Sequence, residues 1–242
     1  MSGRKRFFVE KLNYPQEDEA VLDGEEFVHA KTVQRVEEGT EICLLDGSGK
    51  EYSAIVTKVE KRSLTAHVTG EYEGDKEPKA FIYLLCGALK GDKTELVVQK
   101  ATELGVSKIG IFNSEYCAAF MNANKLERLN KVAREAAKQC MRSRAPEICY
   151  FDNFQAALES AVGFENKLFA CEFAQKSQAE LNTLSGSAAL IVGSEGGFSQ
   201  SEALLAQSAG FSQITLGKRI LRAETAAVAI VTLAAYFLGE LK

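Results

Sequence analysis

The pattern of hydrophobic and polar positions changes once along the chain, near residue 75. Before that point it is short and alternating. Ile42 to Leu45 is a brief apolar run, Asp46-Gly47-Ser48-Gly49 is a turn signal, and Glu51 to Val59 follows with alternating, β-branched character. Leu64 to Val68 repeats the alternation. Runs of this length bounded by glycine and aspartate predict the hairpins of a small β-barrel. Phe27, Ala30 and Val33, three residues apart, predict one short helix inside it. Glu71 to Pro78 is polar and closes the segment.

After Pro78 the chain alternates between strands and helices. Ala80 to Cys86 is continuously apolar, as a strand buried on both faces must be. Thr94 is placed to cap a helix that Gly105 ends, with Leu96, Val97, Ala101 and Leu104 on its buried face. Ile109 to Phe112, Leu168 to Cys171, Ala188 to Val192 and Ile214 to Leu216 read as further strands. Lys125 to Met141 reads as a long helix. Ser199 and Glu202 have capping-box spacing for another, which Gly210 closes. Such alternation predicts an α/β domain with a mainly parallel sheet. The last helix, Ala223 to Leu238, has only Thr232 and Tyr236 as polar-capable residues after Ala226. A helix apolar all round must be covered all round. In a domain of this size that points to a subunit interface as well as a core; a central core helix in a monomer is the alternative.

Composition narrows the field. The chain has 242 residues, three prolines and 46% hydrophobic residues, which excludes a disordered or proline-rich chain. Its longest apolar run, Ala226 to Leu238, is too short to cross a membrane. The basic start is interrupted by Glu10 and Lys11, unlike a secretory signal, so a cytoplasmic protein is expected. Six cysteines without a C-x-x-C pair, and two histidines far from any thiol or acidic cluster, predict reduced core thiols and no metal site.

The net charge of −4 argues weakly against nucleic acid until it is divided. Residues 1–74 hold 10 basic and 15 acidic side chains, whereas residues 75–242 hold 19 and 18. Arg128, Lys131, Arg134, Lys138 and Arg142 fall on one side of the predicted Lys125–Met141 helix, opposite Leu126, Leu129, Ala133, Ala136 and Cys140. Such a strip suits a phosphate backbone, although a solvated helix face has a similar pattern. Arg4, Lys5 and Arg6 form a second cluster.

Two loops are candidates for chemistry. Gly193-Ser-Glu-Gly-Gly-Phe-Ser199 joins a strand to a capped helix, a geometry that places a ligand at the strand's carboxyl end. It does not fit a dinucleotide fingerprint, and Glu195 would repel a pyrophosphate, so a ligand bearing adenine and ribose without phosphates fits better. Leu216-Gly-Lys-Arg-Ile-Leu-Arg222 precedes the apolar helix and could form the opposite wall of one pocket. Arg222 and Glu224, beside that helix, should pair with each other or contact ligand.

These motifs resemble the RsmE family. The resemblance is carried by Gly193 to Ser199, by Leu216 to Ala226, by Lys93-Thr-Glu-Leu-Val-Val-Gln-Lys-Ala-Thr-Glu-Leu-Gly-Val106 and by Gln139-Cys-Met-Arg-Ser-Arg-Ala-Pro-Glu-Ile148. It spans the chain from Arg6-Phe-Phe-Val9 to the last helix. It implies methylation of N3 of a uridine in 16S ribosomal RNA, with S-adenosylmethionine as donor. It also implies a PUA-like β-barrel over 1–74 for RNA binding, a SPOUT α/β domain with a deep trefoil knot over 75–242, and a homodimer through that second domain. Under this resemblance the cofactor lies against Gly193, Ser194, Glu195, Gly196, Gly197, Leu216, Gly217, Ile220, Leu221, Arg222, Glu224 and Thr225. Arg222 is the expected residue at the reacting end, with no general base identified. Arg4, Arg6, Arg35, Arg134, Lys138, Arg142 and Arg144 are the expected RNA contacts, on ribosomal RNA or the small subunit. Val33-Gln34-Arg35 departs from the family's usual Val-Leu-Arg, and Lys138 stands where many members have Glu. A SPOUT enzyme with another RNA target and a non-catalytic ribosome assembly factor remain as rivals.

Overall fold

The computed structural model describes residues 4–10, 12–171 and 181–241. The chain divides into two compact units. One comprises Met1–Glu77 together with Ala137–Ala145, and the other Pro78–Ala136 together with Pro146–Lys242.

The first unit is built on a five-stranded mixed sheet in the order β1-β3-β4-β5-β2. Its strands are β1 (Lys5–Phe8), β2 (Glu19–Leu22), β3 (Glu41–Leu45), β4 (Lys50–Val59) and β5 (Leu64–Glu73). β3, β4 and β5 are hairpin-connected, as the alternation and the Asp46–Gly49 turn predict. β1 departs from a hairpin plan: it pairs parallel with β3. Two irregularities in β4, at Ser53/Ala54 and Val56/Lys58, bend the long hairpin. One sheet face buries Phe7, Leu22, Ile42, Leu44, Tyr52, Val56, Leu64 and Val68, with Phe27 and Ala30 packed on it from helix α1 (Gly24–Val28) and the π-helical turn that continues it. The residues from Ala137 onward, well beyond the boundary read from the sequence, join this unit through Ala137 and Ala145, which pack on Phe8, Cys43 and Leu45.

The second unit holds a six-stranded, wholly parallel sheet in the order β11-β9-β10-β6-β7-β8. The strands are β6 (Ile82–Gly87), β7 (Lys108–Phe112), β8 (Glu147–Phe151), β9 (Asn166–Ala170), β10 (Ala188–Val192) and β11 (Ser212–Ile214). This is an α/β fold. β6 and β10 are buried along their whole length, which explains why they read as continuous apolar runs. One face packs Tyr83, Leu85, Phe112, Phe169 and Ile191 against α4 (Phe154–Glu159) and α5 (Gln200–Ser208). α2 (Lys93–Glu103) and α6 (Ala223–Phe237) pack together, and α6 covers β6 and β10 through Ala227, Ile230, Val231 and Ala234.

Local signals explain several boundaries. The capping box at α5 is present: Ser199 Oγ accepts from Glu202 N at 3.2 Å and Glu202 Oε2 accepts from Ser199 N at 3.0 Å. Thr94 does not cap α2; its Oγ1 instead accepts from Leu89 N at 3.0 Å, and the N-cap position is Asp92. The strand expected over Ile214 to Leu216 lies two residues earlier, because Leu216 and Gly217 already belong to a loop.

Candidate active site

Three neighbouring strands end together: β9 at Ala170, β10 at Val192 and β11 at Ile214. Because all run parallel, their carboxyl ends share one edge of the sheet, where α/β proteins bind ligands. A cavity of about 840 Å³ opens there, lined by Ala170 and Cys171, residues 192–197 and 214–223, Lys93 and Ala226.

The glycine loop that follows β10 is held from several sides. Gly197 N donates to Ser194 O at 3.1 Å, and Gly197 has φ +68°, a conformation costly for other residues. A Cβ on Gly196 would lie 2.5 Å from the carbonyl oxygen of Tyr116, so the two backbones touch there. Glu195 does not face the cavity as a bare charge. Its Oε1 accepts from Lys90 N and from Lys93 Nζ, both at 3.1 Å. Partial burial alone would raise its pKa; the backbone N–H groups of Glu195 and Lys90 and the Lys93 ammonium outweigh that and hold the carboxylate below its ordinary value. The electrostatic objection to an anionic ligand is thereby removed.

The second loop leaves β11 through Thr215 and Leu216. Gly217 turns it at φ +97°, and Lys218, Arg219, Ile220 and Arg222 stand exposed. Arg222 occupies the N-cap position of α6 without a side-chain capping bond, so its side chain satisfies none of the first N–H groups of α6. Ser194 Oγ, in the facing loop, is buried and has no hydrogen-bond partner among the described residues. Buried polar atoms are normally paired. An orphan hydroxyl and an uncapped helix start, set against apolar Val192, Ile214, Leu216 and Ala226, suit a ligand that is polar at one end and flat and apolar at the other.

Of the residues expected to hold the cofactor, Gly193, Ser194, Glu195, Gly196, Gly197, Leu216, Gly217, Ile220, Leu221 and Arg222 line this cavity. Glu224 and Thr225 are not among the lining residues: Thr225 is exposed, and Glu224 keeps Oε2 buried without a hydrogen-bond partner among the described residues. Among the described residues, no ion pair joins Arg222 to Glu224. Nothing local in the sequence points to Ala170 and Cys171, which arrive through sheet order, or to Lys93, which arrives through its pairing with Glu195. Lys218 and Arg219, inside the Leu216–Ala226 motif, line the cavity as well.

The expected RNA contacts separate into two groups. Arg6, Lys138 and Arg142 are buried in ion pairs within the first unit, which corrects their assignment as RNA ligands. Arg6 grips Glu51 with two nitrogens at 2.9 and 2.7 Å. Lys138 Nζ contacts both oxygens of Glu26 at 3.1 and 3.2 Å. Arg142 pairs with Glu77 at 3.1 Å, and Glu77 also accepts from the backbone N–H of Ser143 and Arg144 at 2.8 and 2.9 Å. The cationic strip inferred from helical spacing is therefore interrupted: its far end is turned inward by acidic partners distant in sequence. Arg4, Arg35, Arg134 and Arg144 are exposed. Arg4 donates to Ser53 Oγ, Arg144 donates to Ser48 O, and Arg35 sits at φ +50°.

Comparison with known proteins adds a separate line of observation. Residues 75–235 match the RNA methyltransferase domain family, and residues 22–69 match the RNA methyltransferase PUA domain. The ribosomal RNA small subunit methyltransferase E of Mesomycoplasma hyopneumoniae is 33% identical, covering 94% of this chain and 97% of that protein. The Bacillus subtilis protein of the same name is 32% identical over 92% of each. The crystal structure of a ribosomal RNA small subunit methyltransferase E from Neisseria gonorrhoeae, bound to S-adenosyl methionine, superposes with a TM-score of 0.88 at 29% identity, covering 99% of this chain and all of that one.

Proposed function

The chain belongs to the ribosomal RNA small subunit methyltransferase E family, and on that premise we infer that its cavity carries out methyl transfer from S-adenosylmethionine to N3 of a uridine in 16S ribosomal RNA. The observation that carries this is the cavity over β9, β10 and β11, walled by the Gly193–Gly197 and Leu216–Arg222 loops, with Ser194 Oγ unpartnered among the described residues and α6 without an N-cap side-chain bond.

Those residues fit the cofactor. Val192, Ile214, Leu216 and Ala226 offer an apolar wall to adenine, and the loop backbones and Ser194 offer polar contacts to the ribose and the amino-acid tail. When bound, S-adenosylmethionine supplies an electrophilic methyl group on sulfur. The protein's own contribution is orientation and charge. Uridine N3 carries a proton that must leave before or during transfer, and negative charge then spreads onto the two ring oxygens. Arg222, exposed at the cavity rim, is the group that would stabilise those oxygens.

Arg222→Ala should reduce kcat by about 10²–10³-fold, the usual cost of losing one donor to developing charge. Calorimetric affinity for S-adenosylmethionine should change little. The assay is mass mapping of nucleosides after incubation with small subunits, or with 16S RNA, lacking the modification. Wild-type protein that binds cofactor yet forms no 3-methyluridine would point to another RNA target. Absence of cofactor binding would point to a non-catalytic assembly factor.

The same reading assigns residues 1–74 as a PUA-like β-barrel that binds RNA and 75–242 as a SPOUT domain with a trefoil knot. It keeps Arg4, Arg35, Arg134 and Arg144 as RNA contacts and implies a cytoplasmic protein. The matches over 22–69 and 75–235 support the two domains. It also implies a homodimer through α6. Val228, Ala229, Thr232 and Leu233 remain only partly covered and Tyr236 is 48% exposed, leaving an apolar flank on a helix with no charge after Glu224. Light scattering at micromolar concentration should give twice the 26.4 kDa chain mass, and Leu233→Glu should halve it; a monomeric wild type would refute the dimer.

A further inference from the structure

The charge around the cavity is unbalanced in a way the cofactor does not explain. Its charged lining residues are Lys93, Glu195, Lys218, Arg219 and Arg222. Lys93 and Glu195 neutralise each other at 3.1 Å. Lys218, Arg219 and Arg222 have no ion pair among the described residues, and all three are exposed along five residues of one loop. S-adenosylmethionine carries a sulfonium and an ammonium against one carboxylate, so it brings a further positive charge. The uncapped start of α6 adds the positive end of a helix dipole to the same rim. A rim of this sign, around a cofactor of the same sign, is suited to a second ligand that is a polyanion.

Arg222 is already placed at the uracil oxygens, which leaves Lys218 and Arg219. Building on the methyltransferase reading, we propose that Lys218 and Arg219 grip the RNA phosphates flanking the target uridine, so that one loop both walls the methyl donor and clamps the substrate. The loop is made for both roles. Gly217, at φ +97° with nothing within 4 Å of where its Cβ would be, lifts the chain off the sheet and into solvent. Leu216 and Leu221 on either side face the cavity, while the two cations between them remain exposed. Cofactor wall and phosphate grip are thus fixed at a separation of a few residues, which sets the distance from the backbone of the RNA to the transferring methyl. Of the exposed basic residues expected from the sequence to bind RNA, Arg4, Arg35 and Arg144 belong to the other unit, and Arg134 lies on the Ala123–Gln139 helix, outside the cavity lining.

The test is a Lys218→Ala, Arg219→Ala double variant, with Lys218→Arg, Arg219→Lys as its conservative partner. Each is assayed with radiolabelled S-adenosylmethionine and small subunits lacking the modification. The double alanine variant should raise the KM for subunits by about 10–100-fold while leaving the affinity for S-adenosylmethionine within about twofold. The log–log slope of RNA binding against salt should fall by roughly 1.5, as expected for two lost phosphate contacts. The conservative variant should recover most of the KM. An unchanged KM and slope would overturn the proposal. So would a matching loss of cofactor affinity, which would make the two residues part of the cofactor wall. A wild-type protein without activity on 16S RNA would instead overturn the methyltransferase reading, and it is measured first in the same assay.

Discussion

Arg6→Ala should destabilise the first unit by about 3–5 kcal/mol, the cost of breaking a buried ion pair by removing one partner. The side chains of Arg6 and Glu51 are only 5% and 8% exposed. Arg6 also donates to Arg142 O at 3.2 Å, while Ser143 Oγ donates to Glu51 at 2.7 Å. The pair therefore ties strands β1 and β4 to the returning 137–145 segment. Without Arg6, Glu51 would keep a hydroxyl and the weak Cys43 thiol donor at 3.6 Å, and would sit as an underpaired buried charge. Thermal unfolding followed by circular dichroism measures this; a loss below about 1 kcal/mol would show that water replaces the guanidinium. Replacing both residues, as Arg6→Met with Glu51→Met, should cost much less than either single change, since no charge is then stranded.

The same pair has a predictable pH window. Burial opposes the charge of Glu51, but the bonds from Arg6 and Ser143 prevail and hold its pKa below the ordinary carboxylate value. A carboxylate depressed in the folded state contributes stability above its unfolded pKa, about 4.3, and loses it as pH falls through the folded value. Burial likewise opposes the charge of Arg6, yet the hydrogen bond to Glu51 holds its pKa above the usual arginine value, so Arg6 stays charged throughout. The wild type should therefore lose this contribution only in acid below about pH 4.

These residues also mark the limit of what the sequence could show. Helical spacing put Lys138 and Arg142 on one side of a single helix, but α3 (Ala123–Gln139) ends before Arg142, which lies in the turn that follows Met141 at φ +67°. Spacing says nothing about what faces that side. Glu26 lies 112 residues from Lys138 and Glu77 lies 65 from Arg142, and they meet these cations only once the sheet is formed and the 137–145 segment returns to it. The glycine loop was readable because its chemistry is local: strand, glycines and capping box are contiguous from Ala188 to Glu202. Ala170 and Cys171 were not, because they reach the cavity only through the order in which β9, β10 and β11 pair. β1 and β2, four residues each, were too short for alternation to register.

Gly196→Ala should weaken cofactor binding by about 5–150-fold while leaving the protein folded. The added Cβ would meet Tyr116 O at 2.5 Å and Tyr116 Cβ at 2.6 Å. A backbone carbonyl cannot rotate away as a side-chain tip can, so the glycine loop itself must move. Gly87→Ala should act on the same loop from its other side, since that Cβ would meet Ser194 N at 2.5 Å. Overpacking of this kind costs about 1–3 kcal/mol. Expressed at the loop, that is roughly a 5–150-fold loss of affinity for S-adenosylmethionine. Gly217→Ala makes the informative contrast, because no atom lies within 4 Å of its Cβ position and only the φ of +97° resists the change. Its cost is conformational, about 1 kcal/mol, and falls on a loop exposed to solvent. Calorimetry on the three variants should therefore rank Gly196→Ala and Gly87→Ala well below Gly217→Ala in affinity, with melting temperatures in a narrower range. Equal affinities would mean that the glycine loop is not a wall of the cofactor site, because only Gly196→Ala and Gly87→Ala press directly on it.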